Sequence, residues 1–266
     1  MKKTMTRDEL LNVRLVQQAE GTEFYRIPAL NYTGVCTDSA PYGEVIAEWL
    51  YDNFEREDDL KRFLLNGSDM KEEKEFPAGP IHSKEDIKYS EGSNRNEENI
   101  AKRLLQMEHL EIFGHQGLTL LDYQVPINRV LHSGEGKADL VFFDGKNIVI
   151  GELKDEDSQE TLLRAVVEAK TYQYKIQSCE SSLKRYAACY SDNPKELPKW
   201  IQPAVLIFVG KDSQPWKDFD AMMNMEKSWL KSLISKWDME IFAVVSEGDM
   251  AGKPYAEQEY SLERVL

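Results

Sequence analysis

KADLVFFDGKNIVIGELK, residues 137–154, is the stretch from which the fold is read. Its two apolar runs, ADLVFF and NIVIGEL, have strand length and are rich in β-branched and aromatic residues. Between them stands Asp144-Gly145, a pair that readily takes the left-handed backbone of a hairpin turn. Strands over 137–145 and 146–154, paired antiparallel, are therefore expected. Pairing about that turn sets Asp139 opposite residue 150 or 151, so Glu152 stands one or two places away. Alternation along the second strand puts Glu152 and Lys154 on one face.

The flanking sequence extends the pattern in both directions. LTLLDYQVPI (118–127) reads as a third strand. Ahead of it, NRNEENIAKRLLQMEHL (94–110) offers an asparagine cap, an acidic first turn, and Ile100, Ala101, Leu104 and Met107 on one face of an amphipathic helix. Downstream, SQETLLRAVVEAKTYQYKIQSCESSLKRYAACY (158–190) predicts a long helix capped by Ser158 and broken near Ser178. PAVLIFVG (203–210) and MEIFAVVSEG (239–248) read as buried strands, with a helix over KSWLKSLISKW (227–237) between them. The expected class is α/β: a mixed central sheet flanked by helices, in the order helix, three strands, helix, strand, helix, strand.

Upstream of this domain, taken as 91–266, the composition changes. FYRIPALNY (24–32) reads as a strand. GEVIAEWLYDNFEREDDLKRFLLNG (43–67) reads as a helix or helix pair, with Val45, Ile46, Trp49, Leu50 and Phe54 at helical spacing. The segment 68–96 is charged and rich in Gly, Pro and Ser, the composition of a long surface loop. Residues 1–90 are thus expected to form an N-terminal extension or small subdomain.

The chain has 266 residues, 41% apolar and 30% charged, enough to bury an ordinary core. Its 33 basic and 47 acidic side chains give a net charge of −14, which weighs against coating nucleic acid by bulk charge. No apolar run approaches 18 residues, so no membrane partner is expected. The opening MKKTMTRDELLN lacks the apolar stretch of a secretory signal. Cys36, Cys179 and Cys189 are too scattered for a disulfide framework or zinc knuckle, and a reducing cytoplasm is the expected location. The four histidines show no metal-ligand spacing, although His132 lies in a glycine-bearing loop just ahead of Asp139. Trp200, Trp216, Trp229 and Trp237 read as packing residues.

Asp139 and Glu152 are the residues that carry chemistry. Two carboxylates placed near each other on apolar strands repel, and a divalent cation would resolve that repulsion. Hard oxygen ligands suit Mg²⁺ or Mn²⁺. Such an ion would polarise a phosphate and activate water, with Lys154 orienting the water or neutralising developing charge.

Asp139 followed, after twelve residues, by Glu152-Leu153-Lys154 resembles the PD-(D/E)xK nuclease superfamily, whose core is the restriction-endonuclease-like fold. The resemblance covers about residues 94–210. It implies Asp139, Glu152 and Lys154 as catalytic residues, and Asp139, Glu152 and the Leu153 carbonyl as ligands of Mg²⁺ or Mn²⁺. It also implies a further glutamate from the preceding helix, Glu97 with Glu98 in reserve. Ala138 stands where the family has Pro, and only three cysteines are present, against the four of its iron–sulfur branch. The implied activity is hydrolysis of phosphodiester bonds in nucleic acid, with DNA the expected substrate. Lys137, Arg164, Lys170, Gln173 and Lys175 are the candidates to hold it, and a homo-oligomer or a basic protein partner is expected to help. The rival expectation is a nuclease fold used as an inactive binding or assembly module.

Overall fold

The structure, a computed structural model, describes residues 4–19, 21–65, 81–90, 95–126, 136–177, 186, 188–189, 200–210, 212–248 and 253–266. Its centre is a seven-stranded mixed sheet. The strands are β1 (Glu111–Phe113), β2 (Thr119–Pro126), β3 (Lys137–Phe143), β4 (Ile148–Lys154), β5 (Ile201–Phe208), β6 (Glu240–Ser246) and β7 (Tyr260–Arg264), in the spatial order β1-β7-β6-β5-β4-β3-β2. β2, β3 and β4 are antiparallel neighbours, while β4, β5 and β6 run parallel. β7 lies antiparallel to β6 and carries β1 parallel to itself on the outer edge.

Parallel neighbours need crossover connections. α4 (Leu162–Gln177) joins β4 to β5, while α5 (Gln214–Met223) and α6 (Trp229–Lys236) join β5 to β6. All three pack on one sheet face, over Val141, Ile148, Ile150, Val205, Ile207 and Ile241. The opposite face, with Leu140, Phe142, Val149, Leu153, Leu206 and Phe242, is covered by α3 (Asn96–Gln106) through Ile100, Ala101, Leu104 and Leu105. The chain is therefore a mixed α/β protein with helices on both faces of its sheet. No helix among the described residues is long and apolar enough to cross a membrane.

The N-terminal segment belongs to the α4 face. α1 (Tyr42–Asn53) and α2 (Glu57–Leu64) bury Val45, Ile46, Leu50, Leu60 and Leu64 in the same cluster as α4 and α6. FYRIPALNY forms two single 3-10 turns, Phe24–Arg26 and Pro28–Asn31, where a strand was expected. Pro28 starts the second turn, and the apolar side chains pack against α4 and its surroundings, with no strand partner among the described residues.

Several boundaries differ from expectation. α4 starts at Leu162, and its cap is Thr161, whose Oγ1 accepts from Arg164 N at 3.2 Å; Ser158 lies outside the helix. The proposed break near Ser178 lies outside the described residues. α3 has no side-chain cap, since Asn96 is its first helical residue and accepts from the Tyr255 hydroxyl. α5, β1 and β7 were not expected: the strands are too short to show periodicity, although Ser213 and Pro215 mark the start of α5. Trp237 is buried and Trp216 and Trp229 pack against the core, but Trp200 is 49% exposed.

Candidate active site

Two local irregularities bring the site together. Asp144 accepts from the backbone of Lys146 and Asn147, which makes residues 144–147 a four-residue turn. β3 and β4 therefore end and begin two residues farther apart than an Asp-Gly turn would set them. Leu140 pairs with Gly151, and one further step along this register puts Asp139 directly opposite Glu152. On the other side of β3 the β2 pairing slips by one residue between Leu120 and Asp122. Beyond this bulge Tyr123 pairs with Leu140 and Val125 with Ala138, so Gln124 faces Asp139. Gln124, Asp139 and Glu152 thus form a row across three strands.

Each member of the row is held. Asp139 Oδ1 accepts from Gln124 Nε2 at 2.5 Å, and its Oδ2 accepts from the Leu153 amide at 3.0 Å. Gln124 adopts a φ of +46°, a left-handed conformation that costs a residue with a side chain about 1–2 kcal/mol. Glu152 and Lys154 are each only 4% exposed. Lys154 Nζ donates to Glu152 Oε1 at 2.8 Å and lies 2.8 Å from the Glu160 carboxylate and 3.5 Å from that of Glu168. Glu152 Oε2 is buried and has no hydrogen-bond partner among the described residues.

These groups line a cavity of about 590 Å³ at the C-terminal end of β4. Its other walls come from the start of α3 (Arg95 to Glu98), from Lys137, and from Asp155, Ser158, Glu160, Arg164, Glu168 and Tyr172 around α4. Seven carboxyl groups and four basic side chains share this space, so acids outnumber bases by three. Burial raises the pKa of Glu152, and Asp139 and Glu168 raise it further. Burial raises Asp139 in the same way, against the pull of Lys154 and the Leu153 amide. Glu97 is pushed up to about 7 by burial first, with Asp139, Asp155 and Glu160 adding to it and Lys154 opposing. Burial alone would lower Lys154, but Glu152, Glu168, Glu97 and Glu160 together hold its pKa well above the usual lysine range. One ammonium thus stands among more carboxylates than it can neutralise.

The structure brings Asp139, Glu152, Lys154, Glu97, Glu98, Lys137 and Arg164 to this one cavity. Glu98 is drawn aside by Lys102 at 2.7 Å and Arg95 at 3.4 Å, while Arg164 pairs with Glu160 at 3.1 Å. Lys170, Gln173 and Lys175, expected to contact substrate, do not line this cavity. All three are buried, Lys170 on Glu57 at 3.0 Å, Gln173 on the Ile201 carbonyl at 2.6 Å and Lys175 on Glu23 at 2.5 Å. Their partners are side chains of the N-terminal segment and the β5 backbone, which helical spacing within α4 does not reveal. His132 lies outside the described residues. Gln124, Glu160 and Glu168 were missed. Glu168 and Tyr172 sit one turn apart on the helix after Lys154, a spacing that marks them as neighbours; nothing local announces the bulge that turns Gln124 inward.

The donor set suits a hard divalent cation: two carboxylates on adjacent strands, one of their oxygens buried without a partner among the described residues. The Leu153 carbonyl shares the strand edge of the amide that bonds Asp139. Among the described residues, however, no three Asp, Glu, His or Cys side chains are grouped to hold an ion as they stand. Lys154, drawn onto Glu152, takes up the position of the counter-cation. Comparison of the chain with family models, curated proteins and solved structures finds no match.

Proposed function

We propose that this chain is a nuclease of the PD-(D/E)xK type, with a restriction-endonuclease-like core, that hydrolyses phosphodiester bonds in nucleic acid, with DNA as substrate. The observation that carries the reading is the cross-strand pair Asp139 and Glu152 beside Lys154 in one acid-rich cavity, with Glu152 Oε2 buried and unpartnered among the described residues. Asp139, Glu152 and the Leu153 carbonyl would hold Mg²⁺ or Mn²⁺, with Glu97 at the rim. When bound, the ion supplies Lewis acidity toward the phosphate and makes water a competent nucleophile at neutral pH. Lys154 remains an ammonium and offsets negative charge that develops on the phosphate. Lys137, Arg164 and Arg95, the other basic side chains lining the cavity, would hold the phosphate backbone.

The test is cleavage of single- and double-stranded DNA and RNA with Mg²⁺, Mn²⁺ or excess chelator. Cleavage is expected only with metal, falling to background in Asp139→Ala and by about 10²–10³-fold in Lys154→Ala. Activity that survives chelator or both substitutions overturns the proposal. A second reading, an inactive nuclease fold serving as a binding module, draws on the Glu152–Lys154 ion pair, which closes on the ligand position. It predicts no Mn²⁺ binding in calorimetry and no cleavage of any substrate.

A further inference from the structure

The placement of Gln124 in the site involves two departures from regular structure. The β2 bulge between Leu120 and Asp122 shifts the register by one. Without it, Tyr123 would stand opposite Asp139 and Gln124 would sit one place out of line with it. The backbone at Gln124 is also left-handed, at φ +46°, in a position where glycine would be at ease. Both features serve one contact, the bond from Gln124 Nε2 to Asp139 Oδ1.

That contact fixes more than a distance. Asp139 receives one donor on each oxygen, Gln124 from β2 and the Leu153 amide from β4. A carboxylate bonded at both oxygens, from both flanking strands, has lost its freedom to rotate about the bond to Cβ. Each oxygen still has a lone pair to offer. We propose that Gln124 is a positioning residue that sets the plane of the Asp139 carboxylate for binding a divalent cation. This rests on the metal-dependent reading above. Outer groups that orient a metal ligand typically alter affinity by 10–100-fold.

The test has two arms, run on the full chain. In the first, Mn²⁺ binding is followed by calorimetry for the wild type, Gln124→Leu, Gln124→Gly and Asp139→Ala. Gln124→Leu keeps size and removes the donor, while Gln124→Gly also relieves the backbone strain. Both are expected to bind Mn²⁺ about tenfold more weakly, with Gln124→Gly melting no lower than the wild type. Affinity within twofold of wild type, or lost affinity that merely follows lost stability, overturns the assignment. Absence of wild-type binding overturns the metal reading itself, and with it the cation-binding purpose assigned to Gln124. The second arm needs no metal and isolates the positioning claim. It reads amide hydrogen exchange at Leu153, whose N–H is held by Asp139 Oδ2. Exchange at Leu153 should quicken severalfold in Gln124→Leu while Val141 and Val149 keep their rates. Unchanged exchange at Leu153, or equal loosening of all three, overturns the positioning role.

Discussion

Gly151, the residue before Glu152, shows how tightly the site is bedded in the sheet. A Cβ there would lie 2.6 Å from Leu206 Cδ1, 3.3 Å from the Phe142 ring and 3.4 Å from Leu140 Cβ. Gly151→Ala is expected to cost about 1–3 kcal/mol of overpacking, read as a lower urea midpoint with an unchanged slope. It should also disturb the Asp139–Glu152 row, because Gly151 pairs with Leu140 next to Asp139. Asp139, Glu152 and Lys154 are legible from sequence because strand alternation and an Asp-Gly turn place them within a residue or two. The last two places of register come from the Asp144 carboxylate accepting two turn amides, a bond that a turn dipeptide does not specify.

Among the elements, α4 and α6 carry the connection between the N-terminal segment and the sheet. Glu44 on α1 accepts from Ser228 Oγ and from the amides of Trp229 and Leu230, satisfying the first turn of α6. Glu44→Ala is expected to destabilise the fold by about 1–2 kcal/mol in chemical denaturation, a cap loss compounded by an orphaned Ser228. α4 is held likewise: Lys170 pairs with Glu57 and Lys175 with Glu23. Composition marks residues 1–90 as different in character but does not show that they cover the basic side of α4. Those lysines read as a phosphate-binding face because a helix's own spacing carries no record of what packs on it.

At the scale of the whole molecule, apolar residues from Leu10 to Ala19 and from Phe24 to Leu65 share one buried cluster with the α4 face. A chain shortened to 91–266 would expose that apolar face, and it is expected to lose cooperative unfolding in calorimetry. The acidic cavity adds a pH dependence. Glu97, with its pKa raised to about 7, binds a proton in the folded state that the unfolded chain releases near 4.5. Metal-free protein is therefore expected to lose stability as pH rises from about 4.5 to 7, on the order of 2 kcal/mol once solvent screening is allowed for. The raised values of Asp139 and Glu152 act in the same sense. Mn²⁺ at pH 7 should restore the loss, and thermal melting across this range with and without the ion reads both effects. A pH-independent melting point without metal would show that burial and neighbouring carboxylates do not raise these acids in the folded protein.

The sequence by itself determined the mixed α/β class, most of its long elements, and the clustering of Asp139, Glu152 and Lys154. Each of these rests on local periodicity and turn chemistry, which neighbouring residues encode. Only the tertiary structure decided that Gln124 faces Asp139, that Lys154 is shared by Glu152, Glu160 and Glu168, and that Lys170, Gln173 and Lys175 are buried. Those outcomes depend on a bulge, on a helix packed against a strand end, and on a segment more than a hundred residues upstream. Such contacts are fixed by which surfaces meet when the chain collapses, and no local pattern encodes them.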